Sequence, residues 1–147
     1  MIHAAMRKVL VVAALAGMAV GQAVPAAAQV TSGAKQKVIF HVGDGDPAKW
    51  TVALNNVSNV RKELGASNVD IEIVAISAGL GILKLDSPQS GRIADAIKGG
   101  VKVVACENSM KGQKLTRDDL LPDIGYVAAG VVELMERQRD GYAYIRP

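Results

Sequence analysis

The chain has 147 residues, 50% hydrophobic, 21% charged and 3% aromatic, which excludes a disordered chain or an aromatic-rich basic nucleic-acid binder and supports one short domain. Its single cysteine, Cys106, excludes an intramolecular disulfide and a cysteine-based zinc site. The formal charge is +3, but without Arg7 and Lys8 of an N-terminal leader 15 Lys and Arg face 14 Asp and Glu, net +1, and no nucleic-acid or acidic-membrane partner is expected.

Residues 1–28 read as a secretory signal. Arg7-Lys8 form its basic head, Val9 to Val20 its apolar run, and Ala26-Ala27-Ala28 before Gln29 a small-x-small cleavage pattern. An uncleaved anchor is the alternative, but the apolar run spans 12 residues, short of the ~20 a membrane-crossing helix needs. The expected mature chain is therefore periplasmic or extracellular, with no stable membrane insertion after cleavage. Gln29 to Gln36 reads as a flexible polar arm, and 37–147 as the domain.

Lys37 to Val42 is a near-continuous apolar run, predicted as a strand buried on both faces. Asp46-Pro47 signals a helix start, with an Asp cap and Pro at the first position. Trp50, Ala53, Leu54, Val57 and Leu64 follow at helical spacing, and Gly65 ends that helix. Val69 to Ile76 is a second strand and Ala78 to Gly81 a flexible turn. Ser87-Pro88 opens a helix that turns Ile93, Ala96 and Ile97 inward. Val101 to Ala105 is a third strand, ending at Cys106 and followed by a polar, flexible stretch to Lys114. Thr116 to Asp119 resembles a capping box. Tyr126 to Ala129 is predicted as a fourth strand, Val131, Leu134, Met135 and Gln138 as one face of a last helix, and Tyr142 to Ile145 as a closing strand. Such alternation implies right-handed βαβ units and a mostly parallel sheet covered on both faces. Reactive groups then collect at the carboxyl ends of the strands, at His41 to Asp46, Ser77 to Gly81 and Cys106 to Gln113.

Gly43-x-Gly45-x-x-Ala48 loosely matches a dinucleotide loop and fails on chemistry. Pro47 removes an amide where a pyrophosphate needs donors, and Asp44 and Asp46 repel phosphate. A flavin phosphate loop fails likewise, so no cofactor is expected. His41, Asp44 and Asp46 supply metal-ligand types, but Asp46 is better read as a helix cap and a strand histidine as core or interface, so no metal is expected either. Ser77, Ser87 and Ser109 lack a Gly-x-Ser-x-Gly setting.

Cys106 has two open readings. It is a small buried hydrophobe at a strand end, or a reactive thiol at the sheet's carboxyl edge, with Lys111 and Lys114 favouring a thiolate and Glu107 opposing it. An unpaired thiol in an exported protein favours use, and the absence of Cys-x-x-Cys excludes dithiol exchange within one chain. The reactive reading requires the sulfur to lie open at that edge.

Val38-Ile-Phe-His-Val-Gly-Asp-Gly-Asp46, Ala53-Leu-Asn-Asn56, Ile71-Glu-Ile-Val-Ala75, Val104-Ala-Cys-Glu-Asn-Ser-Met110, Asp119-Leu-Leu-Pro122 and the Gly141 to Pro147 tail resemble the DsrE/DsrF-like (YchN-like) family, in its small exported branch. The resemblance spans about Lys37 to Pro147. It implies a three-layer α/β/α sandwich with a mainly parallel sheet of about five strands, homo-oligomers (trimers or hexamers), and a sulfur-carrying cysteine at Cys106 that accepts sulfane sulfur as a persulfide and exchanges it with a donor or acceptor protein. Asn108, Lys111, His41 and Asp44 are the supporting candidates; a non-catalytic oligomeric binding or scaffolding module of the same fold is the alternative.

Overall fold

The apolar runs become strands of one sheet, and the segments between them become helices. The computed structural model describes residues 34–147; the leader expected over 1–28 and the first part of the expected arm lie outside them. Among the described residues the order is β1 (Gln36–Val42), α1 (Pro47–Leu64), β2 (Val69–Ala75), a 3-10 helix (Ser77–Leu83), α2 (Ser90–Lys98) and β3 (Lys102–Cys106). There follow α3 (Glu107–Gln113), a second 3-10 helix (Arg117–Asp119), β4 (Gly125–Val127), α4 (Gly130–Arg139) and β5 (Ala143–Ile145). The sheet runs β4-β3-β2-β1-β5 with every neighbouring pair parallel. Of the expected arm, Gln36 already belongs to β1, and Lys35 pairs with Asp70 at 3.1 Å.

Crossover handedness explains the layers. β1 to β4 step across the sheet in one direction, so right-handed connections put α1, α2 and α3 on one face. The return from β4 past the sheet to β5 puts α4 on the other. The core divides accordingly. Val38, Phe40, Val42 and Ile73 pack under Trp50, Leu54, Val57, Ile93 and Met110, while Ile39, Val74 and Val104 pack under Leu134 of α4. The result is the three-layer α/β/α sandwich expected, with an entirely parallel five-stranded sheet.

Local chemistry sets the element starts. Asp46 caps α1, its carboxylate accepting from the Ala48 N–H at 2.8 Å with Pro47 at the first position. Asp119 accepts from the Thr116 N–H and hydroxyl at 2.7 and 2.8 Å, closing the capping box.

Four expectations are corrected. The flexible turn at 78–81 is part of a 3-10 helix with Gly79, Leu80, Ile82 and Leu83 buried; its backbone passes so close to β1 that a Cβ on Gly79 would overlap the Val42 carbonyl oxygen. The polar stretch after Cys106 is α3, anchored by buried Met110. In α4, Val131 and Met135 are 60% and 61% exposed, and the sheet side carries Gly130 and Leu134 with half-buried Glu133 and Arg137. Glu72, in mid-β2 and 1% exposed, draws in Arg137 at 2.8 Å and so rotates the helix away from its apolar stripe. Leu64, at the end of α1, is exposed.

Candidate functional site

Cys106 closes β3 and immediately precedes the first turn of α3, its backbone extended at φ −78°, ψ 113°. At the carboxyl ends of β3 and β4 the chain diverges, toward α3 on one face and α4 on the other. Open α/β sheets leave a crevice at such a point of divergence. Val127 pairs with Cys106 in the β3–β4 ladder, and three residues later Gly130 begins α4. The Gly130 N–H donates to Cys106 Sγ at 3.2 Å. Glycine is required there by space, because a Cβ would lie 2.6 Å from Ile76 Cγ1 and 3.1 Å from Cys106 Cβ.

The sulfur is not open at the rim. Cys106 is 3% exposed, covered by Gly130 and the start of α3, which corrects the exposure that the reactive reading required. Its surroundings are nonetheless polar. Burial pushes the thiol up, but the Ser109 hydroxyl and the amides of Gly130, Ser109 and Asn108 outweigh it, and the thiol lies below its ordinary value. Backbone amides at the start of α3 and α4 thus supply the positive potential that the sequence assigned to lysines.

Ser109 is held from its other side. Its Oγ accepts from the Ser77 N–H at 2.8 Å, and the Ser77 carbonyl accepts from Gln113 Nε2 at 2.6 Å. Ser77 adopts a left-handed φ of 52°, a conformation that costs a non-glycine residue of order 1 kcal/mol or more unless its surroundings hold it. Ser77, Ala78, Asn108, Ser109, Gly112 and Gln113 line an open cleft of about 540 Å³.

Asn108 contributes through its backbone. Its amide faces the sulfur's environment and donates to the Ala128 carbonyl at 3.2 Å, tying α3 to the loop before α4. Lys111 does not reach the sulfur: five residues beyond Cys106, helical geometry places it on the far, exposed side of α3. Glu107 is engaged by Arg117 at 2.9 Å, and Arg117 lies over the Tyr126 ring.

His41 and Asp44 form a different cluster, at the end of β1 beside β5. His41 Nδ1 lies 2.8 Å from the Tyr144 hydroxyl, and burial together with Arg146 pushes the imidazole down, leaving it neutral at pH 7. Asp44 pairs with Lys49 at 3.0 Å and Arg146 at 3.7 Å, and the Lys49 bond chiefly holds its carboxyl low. β2 separates this cluster from Cys106 in the sheet.

Sequence reasoning missed Ser109, Gly130 and Glu72. Ser109 was within reach of it: in a helix begun after Cys106, position 109 lies one turn away and its side chain leans back toward the start. Gly130 had no signal, being 24 residues distant in sequence. Glu72 is the lone acid in the centre of an apolar run. Arg137 Nε and Lys102 Nζ lie 2.8 and 3.3 Å from its Oε2, and burial with a hydrogen bond shared with Glu133 pushes its carboxyl up.

The fold has known counterparts. The family model of the DsrE/DsrF-like family matches residues 12–147. A protein of unknown function, MTH1491 from Methanobacterium thermoautotrophicum, is 35% identical, with a TM-score of 0.74 over 77% of this chain and 100% of that one. The ychN protein from E. coli is 16% identical, with a TM-score of 0.62 over 76% of this chain and 99% of that one. A conserved protein of unknown function, BT1422 from Bacteroides thetaiotaomicron, is 12% identical, with a TM-score of 0.59 over 76% and 95%. The last two likenesses concern the fold alone. No curated protein matches the chain by sequence. With the model spanning the described domain and the parallel sandwich in place, the chain belongs to the DsrE/DsrF-like family.

Proposed function

We propose that this chain is a sulfur carrier that holds sulfane sulfur as a persulfide on Cys106 and hands it to a partner thiol, with the cover of Gly130 and the start of α3 opening to admit donor and acceptor to a sulfur that is buried at rest. The family is linked to sulfur relay, and the observation that carries the reading is the Gly130 amide 3.2 Å from Sγ at the divergence of β3 and β4. Those donors stabilise an anion on sulfur, first the thiolate and then the persulfide. With hydrodisulfide as donor the step balances: Cys–S⁻ + HSS⁻ gives Cys–S–S⁻ + HS⁻. The thiolate attacks one sulfur, the S–S bond of the donor breaks, and hydrosulfide leaves with the electron pair. Delivery repeats the exchange with a partner thiolate attacking the outer sulfur.

The setting belongs to the same proposal. The pattern of residues 1–28 supports a periplasmic protein. Val131, Val132 and Met135, all exposed on α4, support burial against a further copy in a trimer or hexamer. Sedimentation of the chain lacking residues 1–28 tests the assembly, and a monomer at micromolar concentration would refute it.

The 3% exposure of Cys106 favours one second reading, an oligomeric binding or scaffolding module in which the thiol is packing. Polysulfide treatment followed by intact-mass measurement separates the two. The carrier gains one sulfur that Cys106→Ser does not gain; a native thiol that reacts only after unfolding refutes the carrier.

A further inference from the structure

We infer that Ser77 and Gln113 are positioning residues that aim the Ser109 hydroxyl at Cys106 and thereby set the protonation state of its sulfur. A helical serine ordinarily rotates among staggered wells and often returns its hydroxyl to a carbonyl of the preceding turn. Ser109 is denied that freedom. The Ser77 amide occupies an acceptor site on Oγ at 2.8 Å, which leaves the hydroxyl proton for another acceptor. The inferred acceptor is the sulfur: Ser109 stands in the first turn of the helix that begins next to Cys106, helical side chains lean toward the helix start, and the hydroxyl is among the groups that lower the thiol.

The clamp is itself built. Ser77 holds a left-handed φ of 52° where its amide meets Ser109, and the 2.6 Å bond from Gln113 Nε2 to its carbonyl secures that conformation from the next turn of α3. Ser77 also follows Ile76, whose side chain abuts Gly130. The corner after β2 therefore meets two of the donors of the sulfur, the Ser109 hydroxyl directly and the Gly130 amide through packing.

Polar groups lead the influences that lower the thiol. On the elements around the sulfur the charged groups are Asp70 and Glu72 of β2, Lys102 of β3, Glu107 and Lys111 of α3, Arg117, Asp118 and Asp119 of the second 3-10 helix, and Glu133, Glu136, Arg137 and Arg139 of α4. Glu107 is paired with Arg117, and Glu133 with Arg137 and Lys102. The largest influences on the thiol are burial, which raises it, and the Ser109 hydroxyl with the amides of Gly130, Ser109 and Asn108, which lower it.

The inference concerns the proton and stands whether or not the sulfur carries a persulfide. The test is the pH profile of alkylation by iodoacetamide, measured on the folded chain as wild type, Ser109→Ala and Gln113→Ala. Ser109→Ala is expected to move the midpoint upward. Losing one charge-assisted hydrogen bond lowers the thiolate fraction about tenfold, and the greater nucleophilicity of a more basic thiolate returns about threefold, so the rate below the midpoint falls about threefold. Gln113→Ala, at an exposed position, moves the midpoint the same way by less. A folded Ser109→Ala with the wild-type midpoint overturns the inference. Should Ser109→Ala fail to fold, Gln113→Ala decides: an upward midpoint supports the clamp and an unchanged one overturns it. A wild-type chain that alkylates with this profile but takes up no sulfur from polysulfide overturns the carrier reading alone.

Discussion

Gly130→Ala perturbs the packing and the electrostatics of the sulfur together. The added methyl would lie 2.6 Å from Ile76 Cγ1, 2.9 Å from Ile76 Cδ1 and 3.1 Å from Cys106 Cβ, where ordinary carbon contacts are about 3.5–4.0 Å. About 1 Å must be found. Cγ1 is not the far end of Ile76, so the adjustment is an off-rotamer isoleucine or a displaced first turn of α4. Overpacking of this kind costs about 1–3 kcal/mol, and replacing a helical glycine returns about 0.5–1 kcal/mol. The net loss lies within about 0–2.5 kcal/mol and centres at about 1 kcal/mol, or roughly 4 °C in melting temperature for a domain of this size. A displaced turn also lifts the Gly130 amide from 3.2 Å out of hydrogen-bond range of Sγ, and the thiol midpoint rises. Gly91→Ala is the control, because nothing lies within 4 Å of the added carbon on α2; it is expected to be neutral or to stabilise by up to about 1 kcal/mol. Calorimetric melts paired with pH-dependent alkylation give both readouts. Wild-type melting and a wild-type midpoint in Gly130→Ala would refute the packing of α4 on the sulfur.

Two further outcomes rest on charges within the fold. The folded state holds the Cys106 thiol below its ordinary value, so between the folded midpoint and the unfolded thiol range near ~8.5 the unfolded chain binds more protons and stability rises with pH. That contribution fades as pH falls through the folded midpoint. Urea midpoints of wild type and Cys106→Ser from pH 6 to 10 should therefore diverge on the alkaline side, and parallel curves would refute the lowered thiol. Arg137→Leu leaves Glu72, 1% exposed, and Glu133 facing each other with only Lys102 between them. Breaking a buried pair in this way costs about 3 kcal/mol at pH 8. The Glu72 carboxyl is raised in the fold, so protonation relieves the loss as pH falls. A loss that stays constant from pH 5 to 8 in denaturant titrations would count against the buried carboxylate.

Sequence carries the sheet because burial on two faces leaves a plain trace: Val38 to Val42, Ile71 to Ala75 and Val103 to Cys106 are close to uninterrupted apolar runs, and Asp46-Pro47 and Thr116 to Asp119 are chemical starts that need no tertiary help. The position of Cys106 at the carboxyl end of β3 followed from the same logic. Its burial did not. Exposure at a strand end depends on what crosses above it, and here that is Gly130, brought in by the chain's return to the opposite edge of the sheet. α3 escaped for a related reason: Glu107 to Gln113 has a weak helical pattern, and its one buried anchor, Met110, acts only once the core exists. The outward turn of Val131 and Met135 was set by Glu72 in β2, whose demand for Arg137 outranks the apolar stripe of α4. In each case periodicity within the segment is overruled by a partner far along the chain. The residues that decide the state of the sulfur, Ser109 through Ser77, and Gly130 through Ile76, all meet at the corner after β2. The chemistry of Cys106 is thus fixed by the junction of β2, α3 and α4 rather than by its flanking sequence, and substitutions at that junction should move thiol reactivity more than removal of Lys111 or Lys114.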